Sequence, residues 1–134
     1  MEDNGIEIKQ VSEREIWVGQ NRIFMEGGNI QNIVLVGDTD AKTAKVLIDS
    51  LIGFAKSFEG KIHTLVDLNR AGKASPEMRN IGRDMIDDDQ TGKVALFGLH
   101  PVARVLASFI IGITRKKAIR FFKTRDEALA WLRE

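Results

Sequence analysis

The sequence predicts an α/β fold in which strands alternate with amphipathic helices around a largely parallel sheet, and three observations carry that prediction. First, Ala118–Glu134 reads as a strand, a cap and a helix. Ile119, Phe121 and Phe122 make a short apolar strand. Thr124 stands three residues before Glu127, the spacing of a capping box, and Ala128, Leu129, Trp131 and Leu132 share one helical face. Second, the same strand-then-helix unit recurs three times upstream. Third, the only two prolines, Pro76 and Pro101, both fall where a helix should begin. Proline suits that position because its missing N–H would be unpaired there anyway.

In chain order, Ile6/Ile8, Glu15–Val18 and Arg22–Met25 read as extended segments, with Glu26-Gly27-Gly28 as a turn. They are expected to add antiparallel strands at one edge, in a pairing the sequence leaves open. The first βα unit is Ile33–Val36, a turn at Gly37-Asp38-Thr39, and a helix from about Asp40 to Phe58. Ala44, Leu47, Leu51, Phe54 and Phe58 lie at helical spacing, and Gly60 follows as a left-handed stop. The second is Ile62–Val66, a loop over Asp67–Ala74, and a helix from Pro76 to about Asp87 with Met78, Ile81 and Met85 inward. The third is Val94–Phe97 and a helix from Pro101 to Thr114; the closing unit is the fourth. Such alternation argues for parallel strands joined by right-handed crossovers.

At 134 residues, 43% apolar and 29% charged, the chain is expected to form one domain with its own core. The absence of cysteine excludes disulfides, thiolate zinc sites and a cysteine nucleophile, and two histidines are too few for a typical zinc site. The opening MEDNGIEIKQ lacks signal-peptide character, and the apolar stretch Val102–Ile113 is short for a membrane span and contains Arg104. A cytoplasmic location is expected. Net charge is only +1, yet residues 1–92 carry 11 basic and 16 acidic side chains while residues 93–134 carry 9 and 3. A solvated surface explains this asymmetry more simply than an anionic partner.

Several chemical motifs admit plainer readings. No P-loop or dinucleotide-binding glycine pattern is present. Asp87–Gly92 begins like a calcium loop, but Gly98 stands where its bidentate glutamate belongs, so a turn is expected. Asp38 and Asp40, one residue apart after a strand, could hold magnesium and supply a phosphoryl acceptor; equally, Asp, Thr and Asp suit a helix start. Asp67, Ser75 and His100 lie beyond adjacent strands as a hydrolytic triad would. However, no nucleophile elbow exposes the serine, and Ser75 and His100 each precede a proline as caps do. His63 reads as a packed mid-strand side chain. Arg115-Lys116-Lys117, with Arg120, is basic, but positive charge is favoured where a helix ends, and no aromatic platform suggests nucleic acid.

Four passages carry a family resemblance: Leu65-Val66-Asp67-Leu68, Ser75-Pro76-Glu77, Val94-Ala95-Leu96-Phe97, and Phe121-Phe122 through Glu127-Ala128-Leu129-Ala130-Trp131-Leu132. From about Ile30 onward the chain resembles the SpoIIAA-like family, the STAS domains of anti-sigma-factor antagonists, and especially their STAS/Sec14-like branch. The resemblance implies a four-turn βα superhelix with flanking helices. It also implies a non-enzymatic regulatory module that binds a protein partner or a small ligand, lipid-like in some relatives. In classical antagonists a serine at the start of the helix after the second of these strands is phosphorylated. Ser75 lies in about that place, although Ala74 replaces the family's aspartate and Pro76 follows.

The leading expectation is therefore an interaction module without cofactor, metal or catalytic residue. Its rivals are an apolar-ligand or membrane-surface binder with a pocket under the third helix, and a magnesium-dependent enzyme built on Asp38 and Asp40. A crevice outside the carboxyl ends of the parallel strands would be lined by Asp38, Asp67, Asn69, Ser75 and His100. On the third helix, Val102, Val105, Leu106, Phe109, Ile110 and Ile113 form the broad stripe expected to meet the sheet. Ala103, Ala107 and Ile111 would then form an outer strip suited to a homodimer or partner.

Overall fold

A computed structural model describes residues 2–3, 5–113 and 118–134. The side chains of Met78, Ile81 and Ile113, and all of Thr114 and Arg115-Lys116-Lys117, lie outside the described residues, so their expected roles do too. The described strands are β1 (Glu2–Asp3), β2 (Ile6–Ser12), β3 (Glu15–Val18), β4 (Asn21–Glu26), β5 (Ile30–Thr39), β6 (Ile62–Ala74), β7 (Thr91–Phe97) and β8 (Ile119–Phe122). The helices are α1 (Ala41–Lys56), α2 (Pro76–Ile86), α3 (Pro101–Ile113) and α4 (Arg125–Leu132). They form one open mixed sheet in which every strand pairs with its neighbour in sequence. β1 to β5 make an antiparallel meander, while β5 to β8 run parallel.

This topology follows from the alternation of side chains along the parallel strands. Ile33, Leu35, Val66, Leu68, Val94 and Leu96 point to one face and pack against α1, α2 and α3. Ile30, Leu65, Ala95 and Phe97 point to the other and meet Ala128, Leu129 and Leu132 of α4. Repeated crossovers of one hand place the first three helices together. The last helix, with no strand to cross to, folds back over the opposite face. There Arg125 ties it to the meander: its Nη2 donates to Glu26 Oε1 at 2.5 Å and to Asn32 Oδ1 at 3.0 Å. Burial alone would raise the Glu26 carboxyl, but the Asn32 amide and the Arg125 and Arg133 guanidiniums hold it below the usual carboxylate range.

Two boundaries differ from expectation. Gly37-Asp38-Thr39, read as a turn, continues β5, and Asp67–Ala74, read as a loop, continues β6. The two strands pair on through Val36↔Arg70, Gly37↔Ala71 and Thr39↔Ala74, with irregular register. Among the described residues β4 stops at Val34 and β7 at Asp67, so this extension is a two-stranded arm. Glycine makes it feasible. Gly37 takes φ +77°, and a Cβ at Gly72 would collide with the Asp38 carboxylate.

The caps of α1 and α4 form at the expected residues. Thr43 N donates to Asp40 Oδ1 at 2.7 Å and fixes the start of α1. Glu127 N donates to Thr124 Oγ1 at 3.3 Å, but the Glu127 carboxylate accepts from the Thr124 hydroxyl rather than from its backbone N–H. α1 ends at Lys56, earlier than the expected Phe58, and Gly60 at φ +80° turns the chain toward β6.

Candidate functional site

At the carboxyl ends of the parallel strands, the expected crevice residues are engaged in holding loops. Asp67 Oδ1 accepts from Asn69 N at 2.9 Å, and Asn69 Oδ1 accepts from Leu99 N at 3.0 Å. His100 Nε2 lies 3.1 Å from the Leu68 carbonyl, a contact that requires the proton on that nitrogen. Asp67, Asn69 and His100 thus come together as a staple that fastens the β7–α3 connection to β6. Asp38 stands apart on the two-stranded arm, where its Oδ1 accepts from Lys73 N at 2.7 Å. Ser75 is half-buried at the start of α2; its N–H bonds Thr39 O at 3.0 Å and its carbonyl accepts from Arg79 N at 3.3 Å.

This geometry bears on the three chemical readings. Asp38 and Asp40 each accept from a different backbone N–H, of Lys73 and Thr43 respectively. The Thr43 hydrogen bonds also hold the Asp40 carboxyl below its ordinary range, as suits a cap. In the triad reading, His100 Nε2 is committed to a backbone carbonyl and Asp67 to the Asn69 N–H, so neither orients a base toward Ser75. Residues 87–90 form a turn in which Asp88 Oδ1 accepts from Gln90 N at 2.9 Å, while Thr91 and Gly92 already belong to β7. Beneath α3 lies an apolar cavity of about 50 Å³, bounded by Leu47, Leu96, Leu106 and Ile110 among others. Ligand pockets run to roughly 300–1,000 Å³. The cavity bordered by the third helix is therefore smaller than a typical ligand pocket.

The facing of α3 is the main correction. Ala103 and Ala107, expected on the outer strip, are the buried residues, together with Leu106. Val102, Val105 and Phe109, expected against the sheet, are exposed, whereas Ile111, expected on the outer strip, is exposed as well. The cause is close approach. A Cβ on Gly98 would come within 2.5 Å of Ala103 Cβ, so the helix start sits on the sheet only where both residues are small. Turning the larger stripe inward would force the backbones apart. The result is an exposed row consisting of Leu99 (73% exposed), Val102 (44%), Val105 (56%) and Phe109 (48%). The Arg79 guanidinium caps its far end, 4.5 Å from the Phe109 ring. The sequence signal that locates this row is the glycine–alanine pair, not the hydrophobic periodicity.

No family model matches the sequence, and no curated protein matches it. Solved structures do. One is an uncharacterized protein of the DUF3478 family with a SpoIIAA-like fold from Shewanella loihica PV-4: 15% identity, 98% of each chain, TM-score 0.63. A second is an anti-sigma factor antagonist from Mycobacterium paratuberculosis: 15% identity over 94% of this chain and 100% of that one, TM-score 0.65. A third is the anti-sigma factor antagonist SpoIIAA in its unphosphorylated form: 17% identity over 84% and 97%, TM-score 0.53. At such identities the likeness is one of architecture, and it extends over the N-terminal meander as well as the βα units. The chain has the SpoIIAA-like fold.

Proposed function

We propose that this chain is a non-catalytic, cytoplasmic regulatory module that docks a protein partner on the exposed face of α3. The observation that carries the reading is the row Leu99, Val102, Val105 and Phe109. Val102, Val105 and Phe109, spaced three and four residues apart, share one exposed face of α3, with the exposed Leu99 just before the helix start, and exposed apolar strips mark contact surfaces. Arg79 and the exposed Arg104 flank it, so the partner surface that fits is an apolar groove rimmed by carboxylates. Two of the fold relatives are named anti-sigma factor antagonists, which supports a regulatory role. The loop-stapling duties of Asp67, Asn69 and His100 weigh against catalysis at the strand ends. No helix among the described residues is long and apolar enough to cross a membrane.

The test is a double variant, Val105→Glu with Phe109→Glu, compared with the wild type in sedimentation, in flotation with anionic vesicles and in quantitative co-purification from its host. The proposal expects one protein retained stoichiometrically by the wild type and lost in the folded variant. Self-association lost instead would replace it with a homodimer, and vesicle binding lost instead would replace it with a membrane surface.

A further inference from the structure

A second feature lies at the opposite end of the sheet, where β5, β6 and β7 begin. Between α1, α2 and these strand starts is a cavity of about 280 Å³. Its floor holds two polar side chains on an otherwise apolar face. Gln31 and Thr64 stand in register on neighbouring strands, and only 4% and 2% of their surfaces are exposed. Ile48, Leu51, Ile62 and Met85 supply apolar walls. Ile48, Leu51, Thr64 and Met85 also border the smaller apolar cavity under α3, so the two adjoin.

Gln31 is the residue that demands an explanation. Among the described residues, its Nε2 is the one buried side-chain nitrogen or oxygen without a hydrogen-bond partner. A buried amide left so destabilises the fold, whereas leucine of similar size would carry no such penalty. Its neighbours show that the local structure pairs such groups when it can: Gln90 Nε2 donates to both Ala55 O and Phe58 O, and Thr91 Oγ1 donates to Met85 O. We propose that the cleft between α1 and α2 is a binding site for a small uncharged molecule with a flat apolar body and a carboxamide or lactam edge, recognised by the Gln31 amide. A carboxamide offers a donor and an acceptor side by side, so it meets another carboxamide through two hydrogen bonds. The apolar walls take the body of the molecule. The exposed lining residues Asp84 and Asp88 outweigh Lys56 in charge, which disfavours an anion. This site is separate from the α3 face and stands or falls independently of it.

Benzamide is the probe, with benzoate as its anionic isostere, and the readout is chemical-shift change in the isotope-labelled full chain. The expected result is that benzamide shifts the Gln31 side-chain NH₂ and the Thr64 amide, that its ring protons show NOEs to the Met85 methyl, and that benzoate does neither. Gln31→Leu should fold with unchanged or raised stability and bind benzamide about tenfold more weakly, the scale of a lost hydrogen bond. Shifts absent at millimolar benzamide, equal binding by benzoate, or undiminished binding by Gln31→Leu overturns the site. So does a crystal structure in which ordered waters satisfy the Gln31 amide and soaked benzamide leaves them in place. The NOE result stands without the variant, should Gln31→Leu fail to fold.

Discussion

The orientation of α3 decides which residues a partner can touch, and paired substitutions test it. Ala107 is 1% exposed and packed among the residues of the main core; Val105, half a turn away, is 56% exposed. Glutamate at 107 must either bury a carboxylate among Leu, Ile and Val side chains or push the helix off the sheet. Either route should cost about 3–5 kcal/mol, the scale of an unpaired buried polar group. For a chain of this length that lowers Tm by roughly 10–20 °C. Glutamate at 105 meets water and has a slightly better helix propensity than valine, so its effect should stay within about 0.5 kcal/mol. Urea and thermal unfolding followed by circular dichroism measure both. Should Ala107→Glu leave too little folded protein, Ala107→Leu tests the same contact through overpacking, with a loss of about 1–3 kcal/mol. Equal losses at 105 and 107, or the larger loss at 105, would refute the facing described here.

Two further outcomes follow from the caps and from His63. Thr124→Ala removes the hydroxyl that accepts from Glu127 N and should cost about 1 kcal/mol in urea unfolding, with α4 otherwise intact. At His63, burial and the nearby Lys93 cation hold the ring below its ordinary range, and Nδ1 accepts from Lys93 N at 2.9 Å. The unfolded chain therefore takes up the proton first as pH falls, so stability should be full above about pH 7 and decline as pH drops below about 6.5, the ordinary imidazole value. Part of that decline should be missing in His63→Gln, and identical pH profiles for the two proteins would contradict the assignment.

Much of this architecture is legible in the sequence because each βα unit carries its own local instructions. Apolar runs mark β7 and β8, prolines open α2 and α3, and Asp40 and Thr124 cap α1 and α4. What escapes is set by contacts between distant residues. The arm formed by the far ends of β5 and β6 consists of Gly37, Asp38, Arg70 and Lys73 among others, with no alternation to reveal a strand; only its mutual pairing makes it one. The α3 stripe misleads because periodicity weighs hydrophobicity and not size. Close contact with Gly98 turns the smaller Ala103 and Ala107 inward and leaves Val105 and Phe109 outside. Asp67, Asn69 and His100 are readable as residues just beyond strands, but their backbone partners, such as Leu68 O and Leu99 N, are invisible until the loops are placed. Gln31 and Thr64 draw no notice in a sequence because a polar residue in a strand usually faces water.

A photo-reactive benzoyl-phenylalanine placed in turn at Val105, Phe109 and Lys45, followed by illumination in the host cell, tests the proposed docking face most directly. Lys45 lies on the exposed side of α1 and serves as the reference position. The α3 face predicts that positions 105 and 109 cross-link to the same single heterologous protein while position 45 does not. Cross-links only to a second copy of the chain or to lipid, no product at all, or the same product from all three positions would contradict it.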